Sequence, residues 1–429
     1  MKRHLRLNFY FYLLFIFSVP LMMSCAGTHK KMVSGETGIS EKKEANLLKA
    51  IKTNANDNLA YFQLSKLSFH RADYAKALMF ADSSLSKNPD YLPASVLKGK
   101  ILCQLERYRE ACNTFVRVLE RDEEGLYVRE IGGTVGLLYK ISQLTKGEFN
   151  DAGPHFTPDG SRILFQSDRN GNWDIFSMNP LGGNIVPVVT DSMNQEDPVP
   201  SPTGDWVYYT QNQSVESKNR DIYRINLKSK EKGIVVSGLS DDWYPAPAPD
   251  GKWLFFVSNR LHPENDSLTT IFRLALNKDK PAKPLFSDGI YAAPAPVTSE
   301  KALLLTHKTN SYFHLYEANY SGKKLRAVGE ESFNYGTPSV SPDGKNIVFY
   351  SNRHNNYDIY MKNVQTGSIS RLTHFKGYDM NPVFSPDGSK IVFHSSRDGH
   401  FHLFEIDLNL PFSRGELLDQ LRRLSTTLE

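Results

Sequence analysis

The sequence predicts a multidomain α + all-β protein: a short array of α-hairpins followed by a six-bladed β-propeller. Three observations lead there. A proline recurs in the second half at Pro154, Pro198, Pro245, Pro294, Pro338 and Pro382, at intervals of 44, 47, 49, 44 and 44 residues. Each recurrence leads through a turn into runs of β-branched and aromatic residues, and four strands per period of this length make a propeller blade. Upstream, residues 44–121 repeat with a 34-residue shift and helical spacing instead. Composition agrees. Of 429 residues, 40% are hydrophobic and 23% charged, which excludes collagen-like, coiled-coil and wholly disordered chains.

Taken in order, residues 1–24 read as an address. Lys2, Arg3 and Arg6 precede an apolar stretch, residues 7–23, broken by Asn8, Ser18 and Pro20. That is the layout of a secretory signal. A spanning helix needs about 20 apolar residues, and Pro20 spoils the far end. Leu21-Met22-Met23-Ser24-Cys25 resembles a bacterial lipobox, with Met22 where Leu is usual. The resemblance implies cleavage before Cys25 and a diacylglyceryl group on its sulfur. Stable anchoring takes two or more such signals. Ala26 in place of Asp resembles outer-membrane lipoproteins, so the expected location is the outer membrane, facing the periplasm. Residues 25–43 carry Lys30, Lys31, Lys42 and Lys43 and read as a flexible tether. Three of the +4 net charges lie in residues 1–24. The near-neutral body gives no electrostatic reason to expect nucleic acid.

Residues 44–135 read as helical repeats and a linker. Ala72-Asp73-Tyr74-Ala75-Lys76-Ala77 corresponds to Glu106-Arg107-Tyr108-Arg109-Glu110-Ala111, and Asn88-Pro89 stops a helix between them. The pattern resembles tetratricopeptide repeats, with Gly99 and Ser65 at the small-residue position. Two repeats rarely bury a continuous core, so the array is expected to dock on the rest of the chain or on a partner. The resemblance places Phe62, Lys66, Phe69, Lys100 and Gln104 on the concave face. A peptide carboxylate fits that face; solvated surface lysines are the competing reading. Cys103 and Cys112 fall on adjacent helices, as buried thiols or as a disulfide.

Residues 136–412 form the sixfold repeat. The turns are Thr157-Pro158-Asp159-Gly160, Ser201-Pro202-Thr203-Gly204, Ala248-Pro249-Asp250-Gly251, Ser341-Pro342-Asp343-Gly344 and Ser385-Pro386-Asp387-Gly388. Pro presets φ, Asp bonds its own backbone and Gly accepts φ > 0, which makes a hairpin. Only the fourth unit departs, with Thr298-Ser299-Glu300-Lys301. A third strand follows in each unit, as in Asp174-Ile175-Phe176 and Asp358-Ile359-Tyr360, and Ile369-Ser370-Arg371-Leu372-Thr373 illustrates the fourth. The sixth unit lacks an immediate fourth strand. Lys140-Ile141-Ser142-Gln143-Leu144-Thr145 copies residues 368–373 and is expected to pair there and remove the open edge. Leu421-Arg422-Arg423-Leu424-Ser425 competes for that place. Ser413 with Glu416 forms a capping box, however, so residues 413–429 read as a C-terminal helix.

These turns, the Ser-Asn-Arg before an Asp-Ile-Tyr strand and the Arg-Leu-Thr outer strand resemble the TolB-type β-propeller repeat over residues 141–407. That family acts in cell-envelope integrity, but its α/β N-terminal domain is missing here. The order of lipobox, helical repeats and propeller also resembles type IX secretion lipoproteins. Those add an OmpA-like domain, for which nothing after Asp407 is long enough. The resemblance implies a non-enzymatic, lipid-anchored envelope scaffold that binds proteins or peptides.

Residues entering each innermost strand are expected to rim the channel: Asp151, Asp197, Asp242, Tyr244, Tyr291, Tyr335 and Asp379. Such carboxylates and aromatics could hold a cationic peptide end, a sugar or a metal. Alternatively they cap turns and fill the funnel. The nine histidines of the propeller show no repeated metal spacing, and His400 with His402 is a single pair. No P-loop, dinucleotide fingerprint or G-x-S-x-G elbow is present, so no cofactor or metal is expected. The alternatives are a carbohydrate-binding propeller or a metal-dependent oligosaccharide lyase, since some similar propellers are such lyases.

Overall fold

The computed structural model describes residues 34–429 except 216, 218, 298–300, 324, 330–332 and 428–429. The lipobox with Cys25 and the fourth turn, 298–300, therefore lie outside the described residues. The chain divides into two compact units between Ala94 and Ser95.

The first unit contains α1 (Ser34–Thr53), α2 (Asn58–His70), α3 (Tyr74–Lys87) and the start of α4 (Leu92–Gln104). Helix α1 reaches back to Ser34, so part of the expected tether is helical. Asp57 and Asp73 cap α2 and α3 through the N–H groups of Ala60 and Lys76. The small residues do what their spacing suggests. Ser65 is fully buried and donates to the Ala77 carbonyl at 2.8 Å, pulling α2 onto α3.

The second unit holds the rest of α4, α5 (Tyr108–Arg121), α6 (Val128–Val135), the propeller and α7 (Arg414–Thr427). The division falls inside α4 because α5 and α6 are tied to the C-terminal part of the chain. Arg414 Nε donates to Leu119 O at 2.7 Å, and Arg422 pairs with Glu120 at 2.8 Å. Ser413 and Glu416 form the capping box, and Leu417 and Leu421 are fully buried. Gly99 lets the Phe115 ring approach so closely that a Cβ would lie 2.3 Å from it. The 34-residue shift recurs in the backbone: Ala72 and Glu106 both take positive φ, 58° and 59°.

Six four-stranded antiparallel sheets follow. After β1 (Tyr139–Gln143), the first blade comprises β2 (Asp151–Phe156), β3 (Ile163–Ser167), β4 (Asp174–Met178) and β5 (Val186–Val189). The second has β6 (Gln195–Pro200), β7 (Trp206–Asn212), β8 (Arg220–Asn226) and β9 (Lys232–Val236). The third has β10 (Asp242–Pro247), β11 (Trp253–Ser258), β12 (Thr270–Ala275) and β13 (Lys283–Pro284). The fourth has β14 (Tyr291–Pro296), β15 (Ala302–Thr309), β16 (Tyr312–Asn319) and β17 (Arg326–Ala327). The fifth has β18 (Tyr335–Val340), β19 (Asn346–Ser351), β20 (Asp358–Asn363) and β21 (Ile369–Arg371). The sixth runs β22 (Asp379–Phe384), β23 (Lys390–Ser395), β24 (His402–Pro411) and then β1, so the upstream segment closes the ring.

The copied sequence makes copied bonds. Leu372 N–H donates to Ile359 O and Leu144 N–H to Leu403 O, each at 2.8 Å. Thr373 and Thr145 hydroxyls accept from Ile359 and Leu403 N–H at 2.9 and 3.0 Å. The turns also register closure. Gly160 of the first blade sits against Pro386 of the sixth, as Gly388 sits against Pro342 and Gly204 against Pro158. Between blades the central strands pack apolar face on apolar face, as where Leu164, Ile175, Val207 and Tyr209 meet.

Candidate functional site

Every innermost strand carries a β-bulge between its second and fifth residues. The third residue precedes the recurrent proline and takes positive φ in all six blades. These are Gly153 (60°), Asp197 (51°), Tyr244 (58°), Ala293 (48°), Thr337 (36°) and Asn381 (52°). For Tyr244 and Thr337 this backbone is costly, about 1–3 kcal/mol each, and is held by its surroundings. The bulge resets the strand's alternation, so first and third residues have different fates.

The third residues knit blade to blade around the axis. Gly153 N–H donates to His394 Nδ1 at 3.3 Å, and Asp197 N–H to Gln166 Oε1 at 2.9 Å. The Asp197 carboxylate accepts from the Thr210 hydroxyl at 3.3 Å and from the Tyr244 N–H. The Tyr244 hydroxyl is hydrogen-bonded to the Asn381 side chain. Innermost strands neighbour one another in chain order around the ring, so the third and sixth blades are opposite. Tyr244 therefore bridges the channel. Burial pushes the Asp197 carboxyl up and the Tyr244 hydroxyl well above its ordinary value.

The first residues stay within their blades. Asp151, Asp242 and Asp379 are fully buried, opposite Ser167, Ser258 and Ser395. Each faces an arginine eighteen residues on. Arg169 Nη2 donates to Asp151 at 2.9 Å, Arg397 Nη2 to Asp379 at 3.1 Å, and Arg260 bonds both oxygens of Asp242. Each guanidinium also stacks on aromatics. Arg397 lies 3.9 Å from the Phe375 ring centre and 4.0 Å from that of Phe404, and Arg169 is 4.6 Å from Phe149.

The second blade builds its tie differently. Arg220 enters from β8, grips both Asp241 oxygens at 2.8 and 2.7 Å and lies over Trp243. Glu196 beside it is buried 3.9 Å from Arg220, and burial raises its carboxyl well above the usual range. The fourth blade replaces the ion pair with stacked rings, Phe286 on Tyr291 at 4.0 Å and Tyr291 on His307 at 4.2 Å. In the fifth, Tyr335 packs on Phe349 at 5.2 Å.

Residues 322–413 match the TolB beta propeller domain. They take in the fifth blade and strands β22 to β24 of the sixth. A 68-residue stretch is 34% identical to an uncharacterized protein of Agrobacterium fabrum; it covers 16% of this chain and 23% of that curated relative's length. Among solved structures, the chain is similar to an oligogalacturonate lyase from Vibrio parahaemolyticus, at 13% identity, covering 63% of this chain and 93% of that one, with a TM-score of 0.46. It is also similar to TolB from Acinetobacter baumannii, at 18% identity, 61% and 64% coverage, and a TM-score of 0.46.

Of the seven expected rim residues of the TolB-like propeller, only Asp197 and Tyr244 are brought together at the axis. The others are spread over separate blades. Sequence reading missed the partners Arg169, Arg260 and Arg397, and Asn381. The constant spacing Asp-x15-Ser-x-Arg in three units was the available signal. Among the described residues, no group of three or more His, Cys, Asp or Glu could hold a metal ion, and no helix is long and apolar enough to cross a membrane.

The helical candidates fall in both units. In the first, the Lys66 ammonium lies 5.7 Å from the Phe62 ring centre, Phe62 packs edge-on to Tyr91, and Phe69 lies beside Tyr74. In the second, Lys100 is paired with Glu130 at 2.6 Å, and Gln104 is exposed. Cys103 and Cys112 are free, buried thiols, and burial pushes them up to about 12 and about 11.

His394 makes the ring sensitive to acid. It accepts from Gly153 as a neutral imidazole, and burial pushes its pKa down to about 3. The unfolded chain titrates near 6.5. His394 thus contributes stability that is present above pH 6.5 and is lost as pH falls towards 3. His394→Gln keeps an acceptor, as Gln166 does for Asp197. The variant is expected to flatten the acid limb by about 3–5 kcal/mol over that window. Denaturant melts of both proteins at pH 7 and 4.5 check it; equal pH slopes would refute the assignment.

Proposed function

We propose that this protein is a non-enzymatic, lipid-anchored scaffold of the cell envelope, held in the outer membrane by Cys25 and facing the periplasm. It binds protein or peptide partners through its tetratricopeptide-type helices and its TolB-like propeller. One observation carries this reading. The rim carboxylates Asp151, Asp242 and Asp379, which a hydrolase or lyase would keep free, are each engaged by an arginine of their own blade. Neutralised and immobilised carboxylates are poor acids, bases and metal ligands. What remains is a rigid ring, and rigid rings present loops for recognition.

Anchoring is tested with Cys25→Ser in the full chain. The variant is expected to lose labelling by an alkyne fatty acid and to move from the membrane to the soluble fraction. A variant that stays in the membrane would remove the anchor from the proposal. The lyase alternative predicts stoichiometric manganese or zinc in the purified protein and cleavage of oligogalacturonate; either result would replace the scaffold reading.

A further inference from the structure

The near-neutral net charge hides two unlike ends of the propeller. Where the innermost strands finish, the turns and loops of the second, third and fourth blades carry Lys230, Lys252, Lys278, Lys280, Lys301 and Lys323, all exposed. The three blades are built alike there. Leu227 N–H donates to Asp205 O at 2.9 Å, Leu276 N–H to Lys252 O at 2.9 Å and Tyr320 N–H to Lys301 O at 3.2 Å, so each outer loop is fastened to the inner turn of its own blade. Tyr320 also joins the fourth blade to the third: its carbonyl accepts from Arg273, and its ring centre lies 4.8 Å from that of Phe255. The lysines therefore share one preformed end of the ring.

Little neutralises them. None of the six forms an ion pair among the described residues. The acids at this end of the three blades are Asp205, Glu231, Asp250 and Asp279. Asp205 lies 3.7 Å from a further lysine, Lys228, and Asp250 accepts from the Lys252 backbone N–H at 2.9 Å. The other end of the same blades has the opposite sign. Glu264, Asp266 and Asp288 are exposed there, and Arg220 and Arg260 are taken up by Asp241 and Asp242. Exposed aliphatic side chains stand at both ends, Leu181 and Val364 at one and Leu239 and Leu261 at the other, and distinguish nothing. Charge alone tells the ends apart, and a sided charge orients a molecule even when its total is small.

The kind of base indicates the kind of anion. The arginines of these blades are seated. Arg224 lies 4.3 Å from the Trp206 ring centre, Arg273 lies 4.5 Å from that of Trp253, and Arg326 pairs with Glu317 at 2.6 Å. Lysines alone reach into water, from separate loops. An ammonium is a mobile point charge without the fork that fixes one carboxylate or phosphate. Several of them spread over a face sum against an extended anionic surface. A bilayer with anionic phospholipid is such a surface, and the scaffold reading already places one within reach of the chain.

We propose that the lysine end of the second to fourth blades lies on anionic lipid headgroups, with the acidic end of the ring turned away from the bilayer. The face is a second, reversible membrane signal beside the acyl group on Cys25. This rests on the scaffold reading and gives the ring an orientation.

The test uses the full chain carrying Cys25→Ser, which takes no lipid, and sedimentation with vesicles. One set is phosphatidylcholine alone; the other contains phosphatidylglycerol as well. Binding is expected to the anionic vesicles only, and to fall steeply as salt rises from about 0.1 to 0.5 M. Lys278→Gln with Lys280→Gln should weaken it about thirtyfold. Lys146→Gln with Lys376→Gln changes the net charge equally at the opposite end and should alter binding less than about twofold. Absence of binding, equal binding to both vesicle sets, or equal loss from the two lysine pairs overturns the proposal. Binding to poly-glutamate but not to vesicles also overturns it, and gives the face to an acidic protein. The vesicle result is independent of acylation. Its failure leaves the lipid-anchored scaffold standing, whereas a wild-type chain that takes up no fatty acid sinks the anchor and leaves the vesicle result as it is.

Discussion

Deleting residues 139–145 is expected to abolish cooperative unfolding of the propeller. Strand β1 pairs with β24 from Lys140↔Asp407 to Gln143↔Phe404 and is the outermost strand of the last blade. It also stitches the seam from both sides. Ile141 packs on the cluster of Phe393, Phe404 and Ile406, while Leu144 packs on the cluster of Phe156, Phe165 and Leu403, where the sixth blade meets the first. Without it, β24 presents a bare edge to other chains. The deletion should therefore elute as oligomers in size-exclusion chromatography. The single change Ile141→Asp removes the apolar contact of a half-buried side chain and sets a carboxylate against the cluster, about 2–4 kcal/mol. For a domain of this size that lowers Tm by about 5–12 °C. Replacing Arg326 and Ala327 of β17 by glycine is the control. Those residues are exposed, and the Arg326–Glu317 pair they include is a surface one, so less than about 1 kcal/mol is expected. Calorimetry giving Ile141→Asp the same Tm as the control would mean the ring is held shut some other way.

That closure was legible from Lys140 to Thr145 because an outer strand is recognised by the same residues wherever it comes from. Leu at the buried position and Thr for the neighbouring N–H recur in 144–145 and 372–373. The turns were legible for a similar reason: Pro, Asp and Gly each act on their own backbone. The rim was not. A period-two pattern predicts which face a side chain takes only while alternation holds, and the bulge ahead of each recurrent proline breaks it. Asp242 and Tyr244 look equivalent in sequence; one is buried against Arg260, the other crosses the channel to Asn381. Nor could local pattern assign α4 to α6. Helix α5 is tied by Arg414 and Arg422, about 300 residues away.

Arg397→Ala is expected to destabilise the propeller by about 3–5 kcal/mol, because it strands the Asp379 carboxylate in a fully buried site. Arg397→Lys should recover little. An ammonium cannot bond Asp379 and Ser395 together while lying flat between Phe375 and Phe404. The fourth blade suggests the rescue. There Tyr291, His307 and Thr309 hold the places of Asp379, Ser395 and Arg397, and a ring stack fills the seam that the ion pair fills elsewhere. Carrying all three residues across, as Asp379→Tyr with Ser395→His and Arg397→Thr, removes the charges together. Replacing a buried pair by packed groups is often near neutral, so the triple variant should return to within about 2 kcal/mol of the wild type. Urea unfolding of the three proteins decides the matter. If Arg397→Ala costs under 1 kcal/mol, the pair is not a structural tie, and Asp379 becomes available again as a ligand-binding carboxylate. A triple variant close to the wild type in stability, after a single variant that is strongly destabilised, would place Asp379 and its counterparts Asp151 and Asp242 in the frame of the ring.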